Sequence, residues 1–189
     1  MKRLLKRVNV RITPGIASGI AIGGAAILLF GVACHALGAR INTTRSIPVG
    51  LYWTSSAPVE KGAYVLFCPP PHFNEGVFEL ALDRGYIGAG FCPGGYGYMM
   101  KRVLAASNDV VNIADDGVRV NGKLLPFSAP AKADKGGRLL PRCQVGSIVL
   151  DTSEVLLMSD VSATSFDGRY FGPLHRAQIR TVISPVITW

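Results

Sequence analysis

A serine hydroxyl and a lysine amine are the two groups in this sequence whose settings suit covalent chemistry. Ser46 lies in the stretch NTTRSIPVG, held between Pro48 and Gly50, six residues beyond Arg40. A serine is a weak nucleophile until a neighbouring base takes its proton. Histidine is the usual base, and the chain has three. His35 falls in a long apolar run, His72 follows three prolines, and His175 lies in a basic stretch. No motif gives His72 or His175 a carboxylate partner, although a triad assembled from distant segments stays open. Lysine is the alternative base, provided its amine is neutral. Burial in apolar surroundings achieves this by penalising the charged form, with shifts of up to about 3–5 pH units. Lys101, in YMMKRVL, meets that condition on a strand, where side chains alternate between faces. It shares one face with Met99 and Val103, while Arg102 points the other way with Met100 and Leu104. The plainer reading is an exposed Lys-Arg pair on a surface strand and a serine that only closes a turn.

The segment before Ser46 decides where such chemistry would happen. Lys2, Arg3, Lys6, Arg7 and Arg11 crowd the first eleven residues of a chain with formal net charge +8. Alone, this cluster would suit a nucleic-acid arm. The 28 residues between Arg11 and Arg40 carry no full charge, however. As a helix they would extend about 42 Å, against about 30 Å of bilayer hydrocarbon. The expectation is a cytoplasmic basic segment (1–11), a transmembrane anchor (12–39) and a periplasmic domain (40–189), oriented by the basic flank. The lipid bilayer is then a partner and nucleic acid is not. A cleaved leader fits less well, because its apolar region normally runs about 7–15 residues. Gly15, Gly19 and Gly23 would lie along one helix face, a pattern that serves helix packing or merely reflects the small residues common in membrane helices.

The rest of the chain reads as β. With 49% hydrophobic residues it is too apolar for disorder, and its 22 glycines and 12 prolines suit short strands joined by turns. Strands are expected at 59–67, 96–105, 146–150, 154–159 and 179–188. The stretch 73–84 reads as a short helix or an irregular excursion. A hairpin is expected at 109–125, turning at Asp115-Asp116-Gly117 and again at Asn121-Gly122. The paired aspartates are better explained by that turn than by a metal. Residues 129–141 form a surface excursion and 162–174 a loop rich in serine and glycine. Of four cysteines, Cys34 is in the apolar run. Cys68 and Cys92 each precede proline at the ends of one segment and are expected to pair, leaving Cys143 free. The alternative, a zinc site, lacks a C-x-x-C pair and spaced histidines. No metal or organic cofactor is expected.

Three blocks, SIPVG beside a membrane exit, then MKRV, then SFDGRYFG, resemble the bacterial type I signal peptidase (S26) family. The match is closest to its conjugative-transfer branch, the TraF-type peptidases. The resemblance runs in family order from the anchor to about Pro173. It implies a signal-peptidase-like β domain behind one N-terminal transmembrane helix. It implies Ser46 as nucleophile and Lys101 as general base, with Ser165 orienting the amine and Asp167 and Arg169 bracing the site. Thr44 would join the Ser46 N–H in binding the oxyanion. Some motifs depart from leader peptidases. Ile47 replaces methionine, Val49-Gly50 stands where threonine usually follows the proline, Asn108-Asp109 replaces Gly-Asp, and Ser159-Asp160-Val161 replaces Gly-Asp-Asn.

The function these features imply is a Ser-Lys endopeptidase, anchored in the bacterial inner membrane, that cuts exported precursors after small residues. The conjugative pilin is the substrate the resemblance suggests, with the acyl-enzyme released by water or, on resemblance alone, by the pilin's own amine to close a ring. The alternatives are a general leader peptidase and a non-enzymatic periplasmic scaffold of a secretion apparatus.

Overall fold

The computed structural model describes residues 14–74 and 76–189, so the basic cluster before Pro14 lies outside the described residues. The apolar run is helical as α1, Pro14–Ala36. Proline suits a first helical turn, where its missing N–H costs nothing. The helix stops at Gly38, which takes φ +111° and donates its N–H to the His35 carbonyl at 3.1 Å. Isoleucines, leucines and Phe30 stand exposed along it, and Gly15–Ala36 is long and apolar enough to cross a membrane.

Arg40–Trp189 forms a separate compact unit built mostly of antiparallel β structure. Its strands are β1 (Ala39–Asn42), β2 (Gly50–Ser55), β3 (Tyr64–Phe67), β4 (Met99–Ala105), β5 (Val110–Ala114), β6 (Gly117–Val120), β7 (Lys123–Leu124), β8 (Val145–Val149), β9 (Glu154–Met158), β10 (Leu174–His175) and β11 (Ile179–Thr188). One sheet runs β1-β2-β11-β3-β4-β9-β10 and a second runs β7-β6-β5-β8. Two short helices, α2 (Val77–Asp83) and α3 (Gly168–Phe171), complete the unit. The expected mostly-β class is therefore what the chain adopts.

The β5–β6 hairpin turns between Ala114 and Gly117, and Asn121 and Gly122 take positive φ at the next turn. The 73–84 stretch resolves into α2. The strand expected at 59–67 forms only over Tyr64–Phe67, and two further segments depart from the sequence reading. The strand β2 directly after the Ser46 loop has little local signature, because only six residues carry it and prolines and serines flank it. The loop expected at 162–174 contains α3, made possible because the Asp167 carboxylate caps the Arg169 N–H.

Three apolar clusters hold the sheets. The largest joins Val65, Phe67, Val103 and Leu157 of β3, β4 and β9 to Phe78 of α2 and Phe171 of α3. A second packs Val111, Ile113, Val118 and Val120 of the small sheet against Ala105, Leu156 and Met158. A third places Ile47, fully buried, on Tyr52, Leu66 and Ile183. Strand β4 is central to both sheets' packing. Met99, Lys101, Val103 and Ala105 are buried in alternation, while Met100, Arg102 and Leu104 are half-buried. Glycine is required at Gly50, where φ is +155° and a Cβ would come within 2.1 Å of the Ile187 carbonyl oxygen on β11.

Cys68 and Cys92 form a disulfide across 24 positions of sequence, closing the segment that carries α2. A loop of that size corresponds to about 3–4 kcal/mol of lost unfolded-state entropy. Replacing both cysteines by serine is expected to lower unfolding free energy by about that amount, read by urea denaturation in detergent. Non-reducing mass mapping should recover the linked peptides. Phe78→Ala, removing a ring packed 4.9 Å from Phe171, should cost about 3–5 kcal/mol in the same assay.

Candidate active site

The loop that carries Ser46 is held by one buried side chain. Asn42 ends β1 and is 4% exposed. Its Nδ2, with two hydrogens to share, lies within hydrogen-bonding distance of the carbonyls of Thr44 (2.7 Å), Ile47 (3.0 Å) and Pro48 (3.0 Å). Its Oδ1 accepts from the Thr44 N–H (3.1 Å) and the Thr44 hydroxyl (3.0 Å). Tyr52 Oη donates to the Pro48 carbonyl at 2.6 Å, and the Ile47 side chain plugs the apolar cluster beneath. The loop is thus pinned before and after Ser46, whose own side chain is left half-buried beside Thr44. The two hydroxyl oxygens lie 3.3 Å apart. The Thr44 hydroxyl has one proton, so it cannot donate to Asn42 Oδ1 and to Ser46 Oγ at once.

Lys101 occupies the buried face of β4, paired through the backbone with Val65 of β3, and is 2% exposed. Its Nζ lies 2.9 Å from Ser165 Oγ, to which it donates. Burial lowers the pKa of this amine to about 8; Asp167 pulls it back up, and Arg169 adds to the lowering. An ammonium here would exchange bulk hydration for one hydroxyl, so the neutral form is favoured far more than in water.

Two and four residues beyond Ser165 in the chain, Asp167 and Arg169 form a fully buried ion pair. Arg169 Nε donates to Asp167 Oδ1 at 2.8 Å and a terminal nitrogen to Oδ2 at 3.0 Å. The guanidinium also donates to the carbonyls of Phe127, Ser162 and Ala163. Asp167 in turn accepts the Ser159 N–H, which links the loop to the end of β9. Such pairing is what permits two charges to sit in the interior. It also fixes the backbone from Ser162 to Arg169, and with it the Ser165 hydroxyl.

Ser46, Thr44 and Lys101 line a common cavity of about 240 Å³, with Ile41, Tyr86, Ile87, Met99, Met100 and Phe166 among its other walls. Ser165 reaches the site through its hydrogen bond with Lys101 and does not itself line the cavity, and neither do Asp167 and Arg169. Among the described residues no hydrogen bond joins Ser46 directly to Lys101. His72 is exposed and lies 3.4 Å from Glu79, a carboxylate neighbour that no motif announced. Neither His72 nor His175 borders the cavity.

Sequence reasoning passed over Asn42. An asparagine ahead of a Thr-x-Ser-x-Pro-x-Gly turn is a side chain that competes for nearby backbone groups, and that signal was available. It also read Asn108 only as a departure from glycine. Asn108 takes φ +67°, the left-handed conformation that asparagine tolerates better than most residues, so the turn survives the replacement. Asp109 there binds Lys61 at 2.9 Å.

Comparison with known proteins finds relatives over nearly the whole chain. The family model described as signal peptidase, peptidase S26, matches residues 12–188. A "Plasmid transfer protein TraF" of Escherichia coli is 70% identical over 189 residues, covering 100% of both chains. A second Escherichia coli protein of that name is 68% identical over 170 residues, 90% of this chain and 94% of the other. A "Conjugal transfer protein TraF" of Agrobacterium fabrum is 33% identical over 187 residues, 97% of this chain and 98% of its own. A signal peptidase I crystal structure from Enterococcus faecalis shares 16% identity over 69% of this chain and all of its own, at TM-score 0.38, too distant a likeness to carry an argument. With the family model spanning all but the two ends, and with relatives matched over full length, the chain belongs to the signal peptidase, peptidase S26, family.

Proposed function

We propose that this chain is a membrane-anchored serine endopeptidase of Ser-Lys type that processes a precursor, the conjugative pilin, in plasmid transfer. The observation that carries the proposal is the buried Lys101 amine, held by Ser165 and lining the same cavity as Ser46. The apolar helix supports membrane anchoring, and the basic cluster before it supports a cytoplasmic N-terminus with the β domain on the periplasmic side. The TraF names of the relatives support a role in plasmid transfer.

In this reading the neutral Lys101 amine takes the Ser46 proton as Oγ attacks the scissile carbonyl. The approach tightens when substrate closes the cavity, as catalytic hydrogen bonds commonly do. The oxyanion receives the Ser46 N–H and the Thr44 hydroxyl, whose proton rotates away from Asn42 Oδ1. The ammonium of Lys101 then protonates the leaving amine, and the acyl-enzyme on Ser46 passes to water or to another amine. Asp167 and Arg169 act through Ser165. The small first cavity supports cleavage after small side chains.

Ser46→Ala and Lys101→Ala should each lower precursor cleavage by about 10⁴-fold or more, the scale seen when a member of a serine peptidase's catalytic set is removed. Retained processing in both variants, read by mass spectrometry of the co-expressed pilin, would instead favour the scaffold reading. The same spectra separate hydrolysis from ring closure by the mass of one water. Thr44→Val should cost about 10²–10³-fold in kcat with little change in KM.

The pH dependence has a defined sign. The base works unprotonated, so kcat/KM should rise with pH and level off above about 8. Stability follows the same group. The unfolded lysine holds its proton to about pH 10.4, the folded one only to about 8, so stability rises with pH between these values. Lys101→Met should remove that slope and gain on the order of 3 kcal/mol below pH 8, while abolishing cleavage.

A further inference from the structure

Beyond the first cavity lies a second, about 420 Å³ in volume, walled by Tyr86, Phe166, Tyr170, Ala131, Ala133 and Leu140 among others. Tyr86 and Phe166 border both cavities, so the two are neighbours across this aromatic pair, whose rings are 5.7 Å apart. Phe166 stacks in turn on Tyr170 at 5.4 Å, with planes only 3° from parallel.

The outer wall is the 129–141 excursion, which is built and tied rather than loose. The Ala131 N–H donates to Tyr170 Oη at 3.1 Å, and Tyr86 Oη donates to Asp134 Oδ2 at 2.6 Å. Asp134 Oδ1 accepts the N–H groups of Gly136 (2.8 Å) and Arg138 (2.9 Å), and Ala133 bridges to Leu139. Arg84 donates to the Leu139 carbonyl at 2.6 Å. Fastened this way, the strap lines a cavity whose surface is mostly apolar, with Ala131 and Ala133 on it, and which also carries Asp134, Lys135, Arg138 and Thr164.

We propose that this second cavity binds the part of the substrate that follows the scissile bond, and that it takes an apolar or aromatic side chain there. The inference rests on the Ser-Lys reading above. In that reading Lys101 protonates the departing amine, so the leaving side of the substrate must begin beside Lys101. The partner of Lys101 is Ser165, and the next residue is Phe166. Of the other walls of the first cavity, Ile87 and Gly88 continue from Tyr86, while Ile41 to Thr44 with Ser46 and Tyr98 to Lys101 lie at and beside the ends of β1 and β4. Two strand ends of this kind suit an extended acyl segment, which hydrogen-bonds along backbone edges. The opposite boundary, Tyr86 and Phe166, is where the chain beyond the cut has to pass. On its far side the aromatic walls and alanines match a large apolar side chain, offset-stacked on the rings. An acceptor that replaces the leaving segment at the acyl-enzyme would meet the same surface.

The test uses the full-length chain in detergent and a synthetic peptide library, randomised for several residues on each side of a central alanine. Sequencing the products reads selectivity before and after the cut separately. The wild type is expected to enrich phenylalanine, leucine or tyrosine over serine by about 10–200-fold at one or more positions after the cut. Ala133→Trp, which fills the cavity, should erase that enrichment and leave selectivity before the cut unchanged. Leu140→Ala, which enlarges the cavity without crowding it, should move the preference toward tryptophan and serves if the first variant does not fold. As a readout independent of turnover, a free peptide of the enriched leaving sequence should bind Ser46→Ala and lose that binding when Ala133→Trp is added. Equal selectivity after the cut in wild type and both variants, or a change confined to positions before the cut, would overturn the proposal. Undiminished library cleavage by Ser46→Ala would overturn the Ser-Lys reading instead.

Discussion

An amine removed from water with only a hydroxyl for company is the constraint around which this domain is arranged. Lys101 occupies an interior strand of the large sheet, where the other side chains on its face of that strand, Met99, Val103 and Ala105, are apolar. A carboxylate within hydrogen-bonding distance would satisfy the charge and hold the proton. The chain offers Ser165 instead, and keeps Asp167 turned away into a pair with Arg169. The result is an interior group that gives up its proton near pH 8, well below the usual lysine range. Such a group costs stability whenever it is charged, and the surrounding packing has to offset that cost.

That packing is shared between elements distant in sequence. Strands β3 and β9 flank β4 and pair with it through the backbone, which fixes the point from which the Lys101 side chain projects. The Asp167–Arg169 pair is also a joint. One guanidinium holds the loop bearing Ser165 and, through Phe127, the start of the strap around the second cavity. Breaking such a pair leaves an uncompensated buried charge, which is far more costly than losing a surface bridge. The Ser46 loop is held on a different principle, by neutral hydrogen bonds from one buried amide and by Ile47 anchored in its own apolar cluster. Charge fixes one side of the cavity and neutral side-chain geometry the other.

On the proposed reading the two cavities serve the two sides of one polypeptide substrate. A peptide bond has two sides, and an enzyme that discriminates only one of them leaves part of the available binding energy unused. The strap accounts for an excursion that otherwise has no evident purpose, since its alanines contribute little to any core. Binding energy from remote substrate residues can serve orientation at the reacting centre, which is how a second subsite would act on the rate.

Much of this was readable from local pattern. The alternation in MMKRV placed Lys101 on an apolar face because a strand has period two, whatever surrounds it. The uncharged run specified a helix long enough for a bilayer, and glycine, asparagine and aspartate marked the turns of the 109–125 hairpin. Block order alone was enough to indicate the family. Other features depend on long-range contact and had no local signature. The depth of Lys101's burial is set by β3 and β9, whose pairing partners lie dozens of residues away. The grip of Asn42 on the Ser46 loop and the second cavity behind Phe166 arise only when the chain closes on itself. Sequence by itself determined the chemical types and the local geometry that carries them. Tertiary structure decided which of them meet, and how dry the meeting place is, because desolvation is a property of everything that surrounds a group and not of its neighbours in the chain.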